Sequence, residues 1–239
     1  MKAPVLAACA AALALIAGAP AQATILIYDD FDGYNPTQHS DGKYDLDFHG
    51  FSDLTVADGS VDLIGTPNAW NLTGNNAYVD LDGTSSPPNG GLLRTQSFTF
   101  NAGDFIELSI IVAGNQRGGS DQWEFGFQSD NPFGYTTAQT AGSLNVLPSL
   151  TGTGTNLSAG QTALASNADW QQRQIRFLAT TSGSLSAYVS TTSNDNVGPL
   201  IDRFVLQRMP TPEPGVWALM LVGFGVTGSA LRLRRGVAA

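Results

Sequence analysis

From residue 24 to residue 209 the chain is a succession of short runs in which apolar and polar side chains alternate, and this period of two constrains the fold more than any other feature. In Gln122–Gln128 the side chains of Trp123, Phe125 and Phe127 share one face, while Glu124 and Gln128 take the other. Further strand candidates stand at Thr24–Tyr28, Leu54–Val56, Val61–Ile64, Tyr78–Gly83, Thr95–Phe100, Asp104–Val112, Arg173–Thr180, Ser184–Ser190 and Ile201–Arg208. The turn Ala57-Asp58-Gly59-Ser60 between two of these runs predicts a β-hairpin. In Tyr78–Gly83 the apolar residues take one face, and Asp80 and Asp82 the other. Gly134–Ala168, dominated by Thr, Ser, Gly, Ala and Asn, reads as one long loop or two weak edge strands. No amphipathic helix with capping signals occurs in this body. The scarcity of Lys and Glu disfavours long surface helices. The expected fold is all-β: a single antiparallel β-sandwich ectodomain, of jelly-roll topology, over residues 24–209.

The two ends differ from this body. Residues 1–23 begin with Lys2, run apolar from Val5 to Ala19 and finish Ala21-Gln22-Ala23, the three parts of a signal peptide with cleavage by signal peptidase after Ala23. Leu6-Ala7-Ala8-Cys9 matches a lipoprotein cleavage pattern, but too few residues precede it to form the apolar region that pattern needs. Residues 210–239 carry Pro212, Glu213 and Pro214, then Trp217, an uncharged run over 216–231 and an arginine cluster of Arg232, Arg234 and Arg235. The run predicts a single transmembrane helix, with the arginines holding its end in the cytoplasm. Gly223-Phe224-Gly225-Val226-Thr227-Gly228 has the spacing of a dinucleotide-binding loop, but the preceding strand and following acidic residue of that motif are missing. Small residues that ease helix packing in lipid are the better account.

Pro-Glu-Pro, Trp217, the apolar run with Gly223 and Gly225, and the arginine cluster, in that order, resemble the PEP-CTERM sorting signal. The resemblance implies recognition of Pro212, Glu213 and Pro214 by an exosortase, transient anchoring in the inner membrane and cleavage nearby. It also implies delivery to the cell surface or extracellular matrix of a Gram-negative bacterium; a plain, unprocessed anchor is the competing reading. Three further stretches are Tyr78–Gly83, Ala113–Gly119 and Asn194–Asp202. They resemble a jelly-roll ectodomain type that often precedes such tails and is similar to galactose-binding-like and carbohydrate-binding modules.

Charge and cysteine usage narrow the function. The net charge is −9, and within residues 24–210 seven basic side chains stand against nineteen acidic ones, a net of −12. Such a surface repels phosphate backbones, so nucleic acid is not an expected partner, whereas a cation or a neutral extracellular polysaccharide is. The one cysteine, Cys9, lies in the leading apolar run, and the histidines are His39 and His49 alone, which excludes cysteine chemistry and a histidine-rich metal site. Jelly-roll modules commonly hold a structural Ca2+ between the end of the first strand and the last strand. Asp29, Asp30 and Asp32 stand at the first position and Asp202 at the second. Solvated turn aspartates are the alternative.

Sugar binding needs a flat aromatic platform ringed by planar polar groups. Candidates are Trp70, Tyr135 and Tyr188, with Asp80, Asp82, Arg94, Asn115, Gln116 and Arg117 as polar partners, while Trp123 and Trp170 read as core. The expected role is structural or adhesive, within exopolysaccharide or biofilm. A specific carbohydrate-binding module is the competing reading. An enzyme is not expected, although Glu107 and Glu124 on neighbouring strand candidates leave a glycoside hydrolase as a distant third.

Overall fold

In a computed structural model of the chain, the described residues are 22–72, 74, 76–85, 90–137, 151–159, 163–209, 222 and 224. Ala23–Met209 form one compact unit. Of the remaining residues only Gln22, Val222 and Phe224 are described, the last two helical and exposed. The expected signal peptide and nearly all of the sorting segment, Pro212, Glu213, Pro214, Trp217, Gly223, Gly225, Arg232, Arg234 and Arg235 included, lie outside the described residues. Among the described residues, no helix is long and apolar enough to cross a membrane.

The compact unit is all-β. Its strands are β1 (Thr24–Asp29), β2 (Gln38–His39), β3 (Gly42–Asp45), β4 (Leu54–Asp58), β5 (Asp62–Ile64), β6 (Tyr78–Asp80), β7 (Leu92–Thr95) and β8 (Phe98–Phe100). They continue with β9 (Phe105–Ala113), β10 (Ser120–Asp121), β11 (Trp123–Thr137), β12 (Thr151–Ala159), β13 (Leu164–Ala165), β14 (Gln171–Ala179), β15 (Gly183–Thr191) and β16 (Leu200–Met209). Fourteen of them form one antiparallel sheet in the order β2-β3-β5-β6-β16-β9-β14-β11-β15-β7-β4, with β1 on β16, β12 on β11 and β8 on β15. The sheet curls over itself into a sandwich, and β11 belongs to both layers. Its first half pairs with β15 from Trp123 to Gln128, and its last residues pair with β14 from Tyr135 to Thr137. Between these halves Ser129-Asp130-Asn131-Pro132 interrupts the register with β12. Proline donates no backbone hydrogen bond, and a bulge bends a strand, so this is where β11 can change layers.

The alternation of the strands builds the core directly. Ile106, Leu108, Ile110 and Val112 of β9, Ile175 and Phe177 of β14, and Phe204 and Leu206 of β16 meet Phe125 and Phe127 of β11 and Leu185, Ala187 and Val189 of β15 in one buried cluster. Phe127 and Phe177 touch edge to face, with centroids 5.1 Å apart.

Two expectations are corrected. The predicted hairpin does not form: β4 pairs with β7, while β5 pairs with β3 and β6. The Asp58-Gly59 turn is present, with Gly59 at φ 62°, but it hands the chain from one part of the sheet to another. The reason lies in burial, since β5 is buried at every residue and needs a neighbour on each edge, whereas β4 is half-exposed. The expected single strand Thr95–Phe100 is two short ones, β7 and β8, both on β15. In the Gly134–Ala168 stretch, β11 runs on to Thr137, and among the described residues β12 pairs with β11 alone, as an edge strand.

Candidate functional site

The three motif stretches, far apart in sequence, converge at one end of the sandwich. Asp80, on the fully buried β6, accepts hydrogen bonds from the backbone N–H of Asp82 (3.1 Å) and Gly198 (2.9 Å) at Oδ1 and forms an ion pair with Arg117 through Oδ2. Asp82 accepts the N–H groups of Asp195 (2.8 Å) and Val197 (3.4 Å) at Oδ2. Gly198 fits only without a side chain, because a Cβ there would sit 2.4 Å from the Asp82 nitrogen. Burial, first of all, drives the Asp80 carboxyl well above the ordinary aspartate value, with Arg117 and the two N–H groups acting against it. Desolvation likewise raises Asp82 and Asp121. Asp80 and Asp82 are therefore interior anchors for loops, not glycan contacts, because both are almost wholly out of reach of solvent.

Around this anchor lies a partly exposed aromatic arc. His39 stacks on Tyr44 with centroids 4.1 Å apart, and Tyr44 leans on Trp70 at 5.0 Å. The Arg117 guanidinium lies 5.9 Å from the Trp70 ring centre. Asn68 holds the Trp70 loop in place: its Oδ1 accepts from Trp70 N (3.2 Å) and Leu72 N (2.9 Å), and its Nδ2 donates to the Tyr78 hydroxyl (3.1 Å). Tyr78 in turn meets Trp170 edge to face at 5.7 Å. Tyr44, Trp70 and Trp170 are all only partly buried, packed on a small cluster of Ile64, Leu72, Tyr78, Ala113 and Leu200.

Next to Arg117 in the chain, Gln116 is tied to the other side of the arc by its N–H bond to Ser166 O (2.8 Å). It lines a groove of about 280 Å³ together with Asn167, Asp169 and Trp170. Trp170, expected to be core, thus borders a groove. Its position directly before β14, at the end of a polar loop, was the available signal.

The other expected glycan residues go elsewhere. Tyr135 is 9% exposed and packs in the core. Asn115 is buried and bridges Gly118 O and Asp121 Oδ2 at 3.0 and 2.9 Å. Arg94 and Tyr188 face outward on the β7-β15-β11 layer, opposite one another in register. Tyr188 stands opposite Gly126 in register, and Gly126 lies against the backbone of β12, where a Cβ would sit 2.2 Å from Leu157 O. Tyr188 is 2% exposed, so it offers no platform for a sugar ring. Its hydroxyl stands 3.1 Å from Glu124 Oε1 and 3.3 Å from Asn156 Oδ1, and burial pushes its pKa up to about 12. Arg94 instead borders a polar groove of about 360 Å³ with Thr55, Gln128, Asp130 and Ser186.

The expected calcium position can be described in the same terms. Asp32 accepts from Ala77 N (3.2 Å) and Asn76 Nδ2 (2.9 Å), and its charge and that of Asp30 add to burial in raising Asp202. Asp29 is taken up by Phe31 N and the Tyr34 hydroxyl, each at 2.9 Å. Among the described residues, no three His, Cys, Asp or Glu side chains are grouped closely enough to hold a metal ion by themselves.

The carboxylate pair of a glycoside hydrolase is not assembled. Glu107 on β9 and Glu124 on β11 alternate with core residues of different layers, so they project from opposite faces. Glu107 accepts a hydrogen bond from the Gln207 amide instead.

No family model matches the chain, and no curated protein matches it. Among solved structures, the chain is similar to the CBM22-1 xylan-binding domain of Paenibacillus barcinonensis Xyn10C, at 14% identity and a TM-score of 0.41, over 82% of this chain and 100% of that one. It is similar to TmCBM61 in complex with β-1,4-galactotriose, at 14% identity and a TM-score of 0.34, over 64% and 85%. A third similarity is to the K1 cleaved adhesin domain of Lys-gingipain from Porphyromonas gingivalis, at 13% identity and a TM-score of 0.38, over 71% and 98%. Likenesses this distant assign no role to the chain, whose chemistry has to be read from its own side chains.

Proposed function

We propose that residues 24–209 are a non-catalytic glycan-binding domain whose contact surface is the aromatic end bearing Trp70, Arg117, Gln116 and Trp170. One observation carries this reading: a partly exposed indole, Trp170, borders a groove that also presents a primary amide, Asn167, and a carboxylate, Asp169, with the partly exposed Trp70 packed on the same small cluster. An indole face covers the apolar side of a pyranose, while amides and carboxylates fix the direction of its hydroxyls. The polar groove at Arg94 lacks such a platform.

Affinity electrophoresis through gels containing single polysaccharides tests the proposal. Retention by one sugar class is expected, with Trp170→Ala and Trp70→Ala binding about tenfold more weakly or worse, about 1.4 kcal/mol. Tyr188→Phe serves as a control on the other layer and leaves retention unchanged. Undiminished retention in both tryptophan variants would overturn the assignment. Failure of every polysaccharide to retain the chain would remove glycan binding altogether.

The ends extend this reading to a cellular role. The basic-apolar-small start and the Pro-Glu-Pro tail support export and exosortase sorting, which would place the domain at the surface or in the matrix as an adhesive element. Mass spectrometry of the surface-exposed protein from its host is expected to find the chain without Trp217–Arg235; a mature form that keeps these residues would reduce the tail to a permanent anchor.

A further inference from the structure

We propose that the loop at residues 193–198 holds a hard divalent cation, Ca2+ in preference to Mg2+, between the carboxylates of Asp82 and Asp195 and the side-chain oxygen of Asn196. The glycan reading is not required for it.

The observation that points to a ligand is an orphaned pair of oxygens. Asp82 is 0% exposed, and while its Oδ2 is held by two backbone N–H groups, its Oδ1 is buried with no hydrogen-bond partner. Asn196 Oδ1 is also buried without a partner, on a residue whose φ of 63° places it in the left-handed turn of the same loop. The Asn196 N–H is itself among the groups that act on Asp82, so the two residues are immediate neighbours. A buried carboxylate oxygen without a donor is costly, and a buried amide oxygen without one adds to that cost.

The charge balance has the same sign. Asp195 acts on Asp82, and both act on Asp121, whose own oxygens are already engaged by Asn115 (2.9 Å) and Ser193 (2.8 Å). The nearby cation, Arg117, is committed to Asp80. Three carboxylates therefore share one loop region, with two unused oxygen donors and no side-chain cation among the main influences on Asp82. Because among the described residues no three acidic side chains form a ready cage, the donor set is a mixed one of two carboxylates and an amide, completed by loop carbonyls and water. Ca2+ accepts six to eight such oxygens in loose geometry, whereas Mg2+ demands a compact octahedron and keeps its water.

The test uses the purified full chain in detergent, stripped with chelator and titrated with CaCl2, by calorimetry and by thermal melts. Single-site binding and a higher melting temperature are expected, with a much weaker response to MgCl2. Asp195 is exposed and Asn196 half-buried, so Asp195→Ala and Asn196→Ala should fold, as circular dichroism would verify. At least one of them should bind Ca2+ about tenfold more weakly or worse, a loss on the scale of removing one supporting group from a metal site. Asp202→Asn, at the separate group with Asp30 and Asp32, should leave the affinity intact. Absence of any binding, full affinity in both loop variants, or loss in Asp202→Asn would each overturn the proposal.

Discussion

The guanidinium of Arg117 makes two contacts of different kinds, an ion pair with a carboxylate that is 2% exposed and a cation–π contact with Trp70. The first fixes the end of β6 and, through Asp80, the 193–198 loop; the second steadies the proposed contact surface. Removing one partner of a buried pair leaves an uncompensated charge, so Arg117→Ala is expected to lower unfolding stability by about 3–5 kcal/mol in urea titrations. Asp80→Asn should cost less, because an amide oxygen still accepts the Asp82 and Gly198 N–H groups. A loss in Arg117→Ala no larger than that of an ordinary surface substitution, about 0.5 kcal/mol, would show the pair to be solvated. The sequence marks Arg117 and Asp80 as polar residues in separate motifs, but nothing in their 37-residue separation announces the pairing. The same limit hid the burial of Tyr188, whose hydroxyl is held by Glu124 of β11 and Asn156 of β12, residues 64 and 32 positions away.

At the scale of elements, alternation was enough to locate most of the long strands, because β9, β14, β15 and β16 each set one face against the core. Pairing was less legible. The Asp58-Gly59 turn has the chemistry of a hairpin, yet the short β5 is enclosed on all sides and is taken by β3 and β6. A local turn signal contributes little against the burial of whole side chains. β11 shows the converse, for its Ser129–Pro132 interruption looks like a strand end in sequence and is instead a bulge within a strand that serves two layers. The aromatic arc was half legible. Trp70 stood out as a platform candidate, whereas Trp170 next to β14 resembled one more core aromatic until the 163–169 loop turned its flank toward a groove.

Across the whole molecule, buried and half-buried aspartates give folding a definite dependence on pH. Asp29, Asp62, Asp80, Asp82, Asp121 and Asp202 all have raised pKa values, with desolvation the largest cause in every case. In the unfolded chain these groups titrate near the ordinary value of 3.8. The folded state thus binds more protons than the unfolded state from about that value up to the raised ones, and stability must fall as pH rises through this window. Above the window the penalty is complete and further change in pH has no effect through these groups; below it they are protonated in both states. Self-repulsion of a chain with net charge −9 acts in the same direction, since mild acid reduces it. In metal-free buffer the melting temperature is therefore expected to be higher near pH 5 than at pH 7, as thermal scans across that range would measure. A melting temperature that dropped on going from pH 7 to 5 would mean that these carboxylates are stabilised as anions. If Ca2+ fills the Asp82 loop, saturating metal should flatten the slope, because a bound cation favours the ionised carboxylate that burial alone disfavours.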